Sequence, residues 1–225
     1  MPSSSENRVH TLGDFAEFIS AVNLEGFEFV VIGGCAVGAY SHLLNEACLT
    51  TDLDILTTPE TVSEIVRWAR SNHQLKLLKT PKPRSLQIAV MNWGDLEINV
   101  LTRSRGLPPA SQAFQNARIF KLQSKDLLEV PIADPFDLLE NKIQINREKD
   151  QPHIEILRAF IHEEIVSSFA QNASPRERLA PVRRLLRVQE SRTLPQSLSE
   201  RLIALARTPV DFRFLVNHVP TREQA

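Results

Sequence analysis

Apolar and polar positions follow two different periods along the chain, and the switches between them mark out its elements. Phe15, Phe18, Ile19 and Val22 recur at helical spacing. Ahead of them, Thr11 and Asp14 have the form of an N-cap with an acidic first turn. FEFVVI (27–32) is a compact β-rich run closed by Gly33-Gly34. CAVGAYSHLL suits a helix after the glycines, with Gly38 weakening it by roughly 1 kcal/mol relative to alanine. TDLDIL (51–56) predicts the next strand, and Pro59 opens a helix over ETVSEIVRWAR with Val62, Ile65, Val66 and Trp68 or Ala69 inward. QLKLL (74–78) and SLQIAVM (85–91) predict strands either side of a TPKPR break, and Asn92-Trp93-Gly94 predicts a hairpin turn. DLEINVL (95–101) alternates, with Leu96, Ile98 and Val100 on one face and Asp95, Glu97 and Asn99 on the other.

Further along, LPPASQAFQNA predicts a loop and short helix, and ARIFKL and LEVPIA predict short strands. From Asp134 the pattern is helical: DPFDLLENKIQIN, a polar break REKDQ, then PHIEILRAFIHEEIVSSFA. Beyond residue 172 three shorter helices are expected, each opened near a proline. The expected fold class is α+β: a mixed β-sheet flanked by helices, then a C-terminal helical tail. The expected division is a flexible N-terminus over 1–10, an α+β domain over 11–168 and a helical region over 169–225.

Composition narrows this little. The chain has 225 residues, 42% hydrophobic and 24% charged, the balance of an ordinary globular protein. Its net charge of −1 gives no field that would draw a polyanion to the whole molecule. Cys35 and Cys48 match no zinc spacing and form no disulfide framework. His42, His73, His153 and His162 form no metal spacing either, and Trp68 and Trp93 read as core or turn packing. No apolar run approaches the roughly 18 residues of a membrane span, and MPSSSENRVH lacks the apolar stretch of a signal peptide. A reducing, cytoplasmic location is the expectation.

The chemistry lies in two neighbouring segments. Residues i and i+2 of a strand face the same way, so Asp52 and Asp54 project together, opposite Leu53 and Ile55. Two carboxylates held that close repel, and one takes up a proton unless a cation neutralises them. Such an oxygen-rich pair suits Mg²⁺, which shares its shell with substrate phosphates. A strand–Gly-Gly–helix junction lets backbone approach a ligand and points a helix N-terminus at a phosphate. Taken singly, the glycine pair is compatible with a plain tight turn, and Asp-x-Asp with a loop-edge or incidental calcium contact. Their ordered combination on two predicted strands is more specific and points to a metal-dependent nucleotide site.

Gly33-Gly34, a helix, then Thr50-x-Asp52-x-Asp54 resembles the nucleotidyltransferase fold of the DNA polymerase β superfamily, in particular its minimal nucleotidyltransferases and abortive-infection toxins. Gly94-x-x-Glu97 resembles the strand carrying the family's third carboxylate, and residues 132–157 resemble a stretch whose lysines and aspartate fall here on Lys142, Lys149 and Asp150. The resemblance covers roughly residues 25–160. It implies two Mg²⁺ ions on Asp52, Asp54 and Glu97, with the third acid helping to deprotonate an attacking hydroxyl. It also implies an NTP held by Gly33, Gly34, Thr50, Lys142 and Lys149, and release of pyrophosphate on NMP transfer. The sequence departs from the pattern at Cys48, where the family often has arginine, and at Glu97, where aspartate is usual. Asn99 lies two residues on along the same face, and in the metal position it would remove a charge and a base. An alternative is therefore a non-catalytic nucleotide-binding or antitoxin-like regulatory module. Arg176, Arg178, Arg183, Arg184, Arg187 and Arg192 in the tail suit a charged helix face, or a surface for an RNA or protein acceptor.

Overall fold

The computed structural model describes residues 8–81, 88–123, 127–171, 173–189 and 193–219. The chain forms two compact units, Met1–Ile156 and Leu157–Ala225. In the first, Thr11 caps a short 3-10 turn, Leu12–Phe15, through the expected capping box with Asp14. The elements that follow are α1 (Ala16–Leu24), β1 (Val30–Ile32), α2 (Gly33–Leu43), β2 (Asp52–Leu56), α3 (Pro59–Ser71) and β3 (Leu75–Lys79). After them come β4 (Ile88–Trp93), β5 (Leu96–Leu101), α4 (Ala110–Asn116), β6 (Arg118–Gln123), β7 (Leu127–Ile132) and α5 (Pro135–Ile145). Helix α6 (Gln151–Ala170) begins in the first unit and ends in the second.

The strands form one sheet in the order β3-β4-β5-β2-β1-β7-β6. Strand β1 is antiparallel to β2, while β2–β5 and β1–β7 are parallel, so the sheet is mixed and the fold is α+β as expected. The apolar set of the central strands, including Val30, Val31, Leu53, Ile55, Ile98 and Val100, is fully buried. This fixes which side of β2 meets the core, and a one-residue slip would reverse every side chain. Asp52 and Asp54 therefore face away from that core, each only half-buried.

Three expectations shift. Asn92 and Trp93 belong to β4 rather than to the hairpin turn: Trp93 pairs with Leu96, and Gly94, with φ of +60°, begins the loop with Asp95. Trp93 instead stacks on Trp68 at 6.4 Å between ring centroids. His10 is not frayed, because its backbone bridges Thr50 (N–H to O, 2.6 Å) and its ring meets Phe15. Residues 1–7 and the 85–87 start of the SLQIAVM strand lie outside the described residues.

In the second unit, α7 (Pro175–Val188), α8 (Gln196–Leu205) and α9 (Pro209–Val216) are the three expected short helices. Ser174 and Thr208 close capping boxes on α7 and α9, with proline in the first turn of each. Leu179, Val182, Leu185, Leu198, Leu202 and Leu215 are buried there. Arg178 joins them: its side chain is 3% exposed and its guanidinium lies 2.7 Å from Asp211, itself 0% exposed. Arg178 also donates to the Ala173 carbonyl, while Asp211 accepts from the Arg207 and Thr208 backbone N–H groups. Arg178 thus leaves the arginine cluster read from the sequence, because it sits on the leucine face of α7. Arg183 lies over the Phe214 ring, 5.1 Å from its centroid. Arg192 lies outside the described residues. No helix among the described residues is long and apolar enough to cross a membrane.

Removing one partner of a buried ion pair strands the other charge, at a cost of about 3–5 kcal/mol. Arg178→Ala should therefore destabilise the second unit by about that much in urea denaturation, whereas exposed Arg176→Ala should stay within about 0.5 kcal/mol. Equal effects of the two would contradict the packing role of Arg178.

Candidate active site

The glycine pair and the aspartate pair form one packing arrangement. Strand β1 runs antiparallel to β2 with Ile32 opposite Asp54, so the first residues of α2 lie against the acidic strand. Gly33 has φ of +68°, and a Cβ built there would stand 2.1 Å from Asp54 Oδ2. A Cβ on Gly34 would stand 2.6 Å from Thr50 Oγ1. Neither position has room for a side chain. Gly34 lines the cleft that opens over β2, whereas Gly33 packs behind Asp54 and does not line it. Thr50 Oγ1 lies 3.2 Å from both the backbone oxygen and the Oδ1 of Asp52, a donor for either.

The site is electrostatically strained. Burial, then the charge of Asp52, pushes the Asp54 carboxyl up from 3.8 to about 6. A hydrogen bond from Asn99 and the charges of Lys142 and Arg147 offset this only in part.

Asn99, not Glu97, is the third residue at the pair. The parallel register sets Glu97 beside Asp52 and Asn99 beside Asp54. Asn99 Nδ2 donates to Asp52 Oδ2 at 2.8 Å, while its backbone position is in register with Asp54. Glu97 shares their face, but its side chain is exposed and does not line the cleft. The physical reason lies in the strand pairing: three residues of β5 and its turn share one face by alternation, and only the register against β2 selects among them.

Basic residues also line the cleft. Helix α5 ends at Asn146 in the left-handed conformation, φ 52°, which turns the chain so that the next residues face Lys142. Lys142 Nζ lies 2.9 Å from Asp150 Oδ1, and Arg147 Nε lies 2.6 Å from Asp150 Oδ2. Burial pushes Asp150 upward, but hydrogen bonds from Arg147 and Lys142 overcome it and hold the carboxyl down at about 2. Lys142 is buried and Lys149 exposed, and both line the cleft. Arg147 and His153 also line it. The sequence reading had no role for Arg147, although its place five residues after Lys142 and three before Asp150 was a visible charge cluster. Burial, then the Lys142 charge, lowers the pKa of His153 below its usual value.

The cleft has a volume of about 420 Å³. Among the described residues no group of three or more His, Cys, Asp and Glu is placed to hold a metal ion. Asp52 and Asp54 are the anionic groups that could hold a hard divalent cation, and their mutual repulsion is what such a cation would relieve.

No protein-family model matches the sequence, and no curated protein matches it. Solved structures do match. One is the solution structure of the antibiotic-resistance factor ANT(2'')-Ia, at 12% identity over 68% of this chain and 83% of that one, TM-score 0.43. A second is the crystal structure of ANT(2'')-Ia in complex with adenylyl-2''-tobramycin, at 11% identity over 78% of this chain and 97% of that one, TM-score 0.46. A third is an antigenic nucleotidyltransferase-like protein from Paracoccidioides brasiliensis, at 12% identity over 95% of each chain, TM-score 0.36. The chain is similar to these nucleotidyltransferase-type structures in outline, at identities too low to carry over a residue role or a substrate.

The raised pKa of Asp54 sets a pH dependence. The folded state binds a proton at about 6 that the unfolded chain binds near 3.8, so this group's contribution to stability falls as pH rises through that window. In chelator, Asp54→Asn should lack this fall and gain about 2–3 kcal/mol over wild type above pH 7, read by urea denaturation. Parallel stability–pH profiles would refute the strain. Gly33→Ala should lose about 1–3 kcal/mol, since the methyl group meets the carboxylate and the left-handed backbone disfavours it.

Proposed function

We propose that the protein is a Mg²⁺-dependent nucleotidyltransferase, moving an NMP from an NTP to a hydroxyl acceptor and releasing pyrophosphate. One observation carries this reading: the paired carboxylates of Asp52 and Asp54 line the same cleft as the basic set Lys142, Arg147 and Lys149 and as Gly34 at the start of α2. A bound Mg²⁺ would neutralise the carboxylates and draw charge from the α-phosphate. The chain's own residues would supply the rest. Lys142, Arg147 and Lys149 would balance the triphosphate charge, with Lys142 and Arg147 braced by Asp150. The Gly34 backbone and the open end of α2 would receive a phosphate oxygen. Thr50 would hold the Asp52 carboxylate in place. Asn99 offers no base for the acceptor proton, so slow transfer is expected.

That same residue favours a second reading, a nucleotide-binding module that does not transfer. The acceptor is open to RNA, protein or a small hydroxyl compound. On α7, Arg176, Arg183 and Arg187 are exposed at spacings of seven and four residues, which puts them on one face able to meet an anionic acceptor.

Incubation with α-labelled NTP and Mg²⁺ tests the reading. Wild type should release pyrophosphate, and Asp52→Asn and Asp54→Asn should each lower that by at least ~100-fold while retaining the fold by circular dichroism. Glu97→Gln should stay near wild type, since its side chain lies outside the cleft. Nucleotide binding without pyrophosphate would favour the second reading, and no nucleotide binding would refute both.

A further inference from the structure

Resting on the nucleotide-site reading, we infer that the site takes a single divalent cation per chain, where three carboxylates would hold two, and that Asn99 sets this number. The donor set is the first reason. Asp52 and Asp54 supply two negative charges, and among the described residues no group of three or more His, Cys, Asp or Glu is placed to hold a metal ion; Asp150, in the same cleft, is taken up by Lys142 and Arg147. One dication balances the charge that these two carboxylates supply. The second reason is position. Asn99 stands in register with Asp54 and hydrogen-bonds Asp52 at 2.8 Å, so a neutral amide fills the place a further carboxylate would need. Its carbonyl oxygen can ligate a hard cation but adds no charge. The third reason is the basic lining. Lys142 and Arg147 line the same cleft, and their positive charge opposes a second cation. Glu97, the nearest acid on the same face, is exposed and outside the cleft. The substrate class that fits is therefore an NTP carrying one cation, with the basic wall balancing the remaining phosphate charge.

Manganese counting tests this without catalysis. The full-length protein is saturated with an NTP analogue whose α–β bridge cannot be cleaved, and bound Mn²⁺ is counted by electron paramagnetic resonance alongside bound nucleotide. Wild type and Glu97→Gln should each bind one Mn²⁺ per bound nucleotide, and Asn99→Asp should bind two. Asn99→Asp should also melt at a lower temperature than wild type at pH 8 in chelator and recover on adding Mn²⁺, which shows that the variant is folded. Two Mn²⁺ in wild type would overturn the inference, and a fall to one in Glu97→Gln would then assign the second ion to Glu97. One Mn²⁺ in folded Asn99→Asp would overturn the role given to Asn99. Absence of nucleotide and Mn²⁺ alike would instead overturn the nucleotide-site reading beneath it.

Discussion

Two carboxylates two residues apart on one strand repel each other, and half-burial removes much of the water that would screen them. The site depends on how the fold tolerates this. Part of the answer is steric: only glycine at position 33 leaves space for the Asp54 carboxylate, and only glycine at 34 leaves space for Thr50. Part is polar, since Thr50 and Asn99 both bond the Asp52 carboxylate. Part is long-range, from Lys142 and Arg147. Together these still leave Asp54 at about 6, so the fold contains the repulsion without removing it. Sites that keep such strain are where function is sought first.

The basic wall shows the opposite balance. Asp150 is fully buried, a position that would raise its pKa, yet two cationic side chains hold it ionised. It acts as the brace that keeps Lys142 and Arg147 extended toward the cleft. Long flexible cations lose side-chain entropy when they bind a phosphate, and bracing them beforehand reduces that loss. The brace depends on a local backbone feature, the left-handed residue Asn146, a residue type that adopts this conformation more readily than most.

What could be read from the sequence was what local rules decide. Strand alternation placed Asp52 and Asp54 on one face and Leu53 and Ile55 on the other, and the solvent side of β2 follows. Capping at Thr11, and prolines opening α3, α7 and α9, gave helix starts that the structure has. What failed depended on contacts between distant segments. Asp95, Glu97 and Asn99 share one face, and choosing among them needs the β2–β5 register, which no local pattern carries. Arg178 looked like one of several surface arginines, although its place next to Leu179 and on the side of Val182 and Leu185 was a signal that it turns inward.

The Asn99 amide also has a stabilising effect that a carboxylate would lack. A third acid at that place would add a charge beside a pair whose Asp54 is already pushed up to about 6 by burial and by the Asp52 charge, and without a cation the fold would bear the added repulsion. Asparagine donates to Asp52 instead, turning a repulsive neighbour into an attractive one at nearly the same volume. On the proposed reading the cost falls on chemistry, because an amide takes no proton from an acceptor hydroxyl and adds no charge to balance a cation. Stability without metal and the proposed transfer thus pull this one position in opposite directions, and the residue present serves the first.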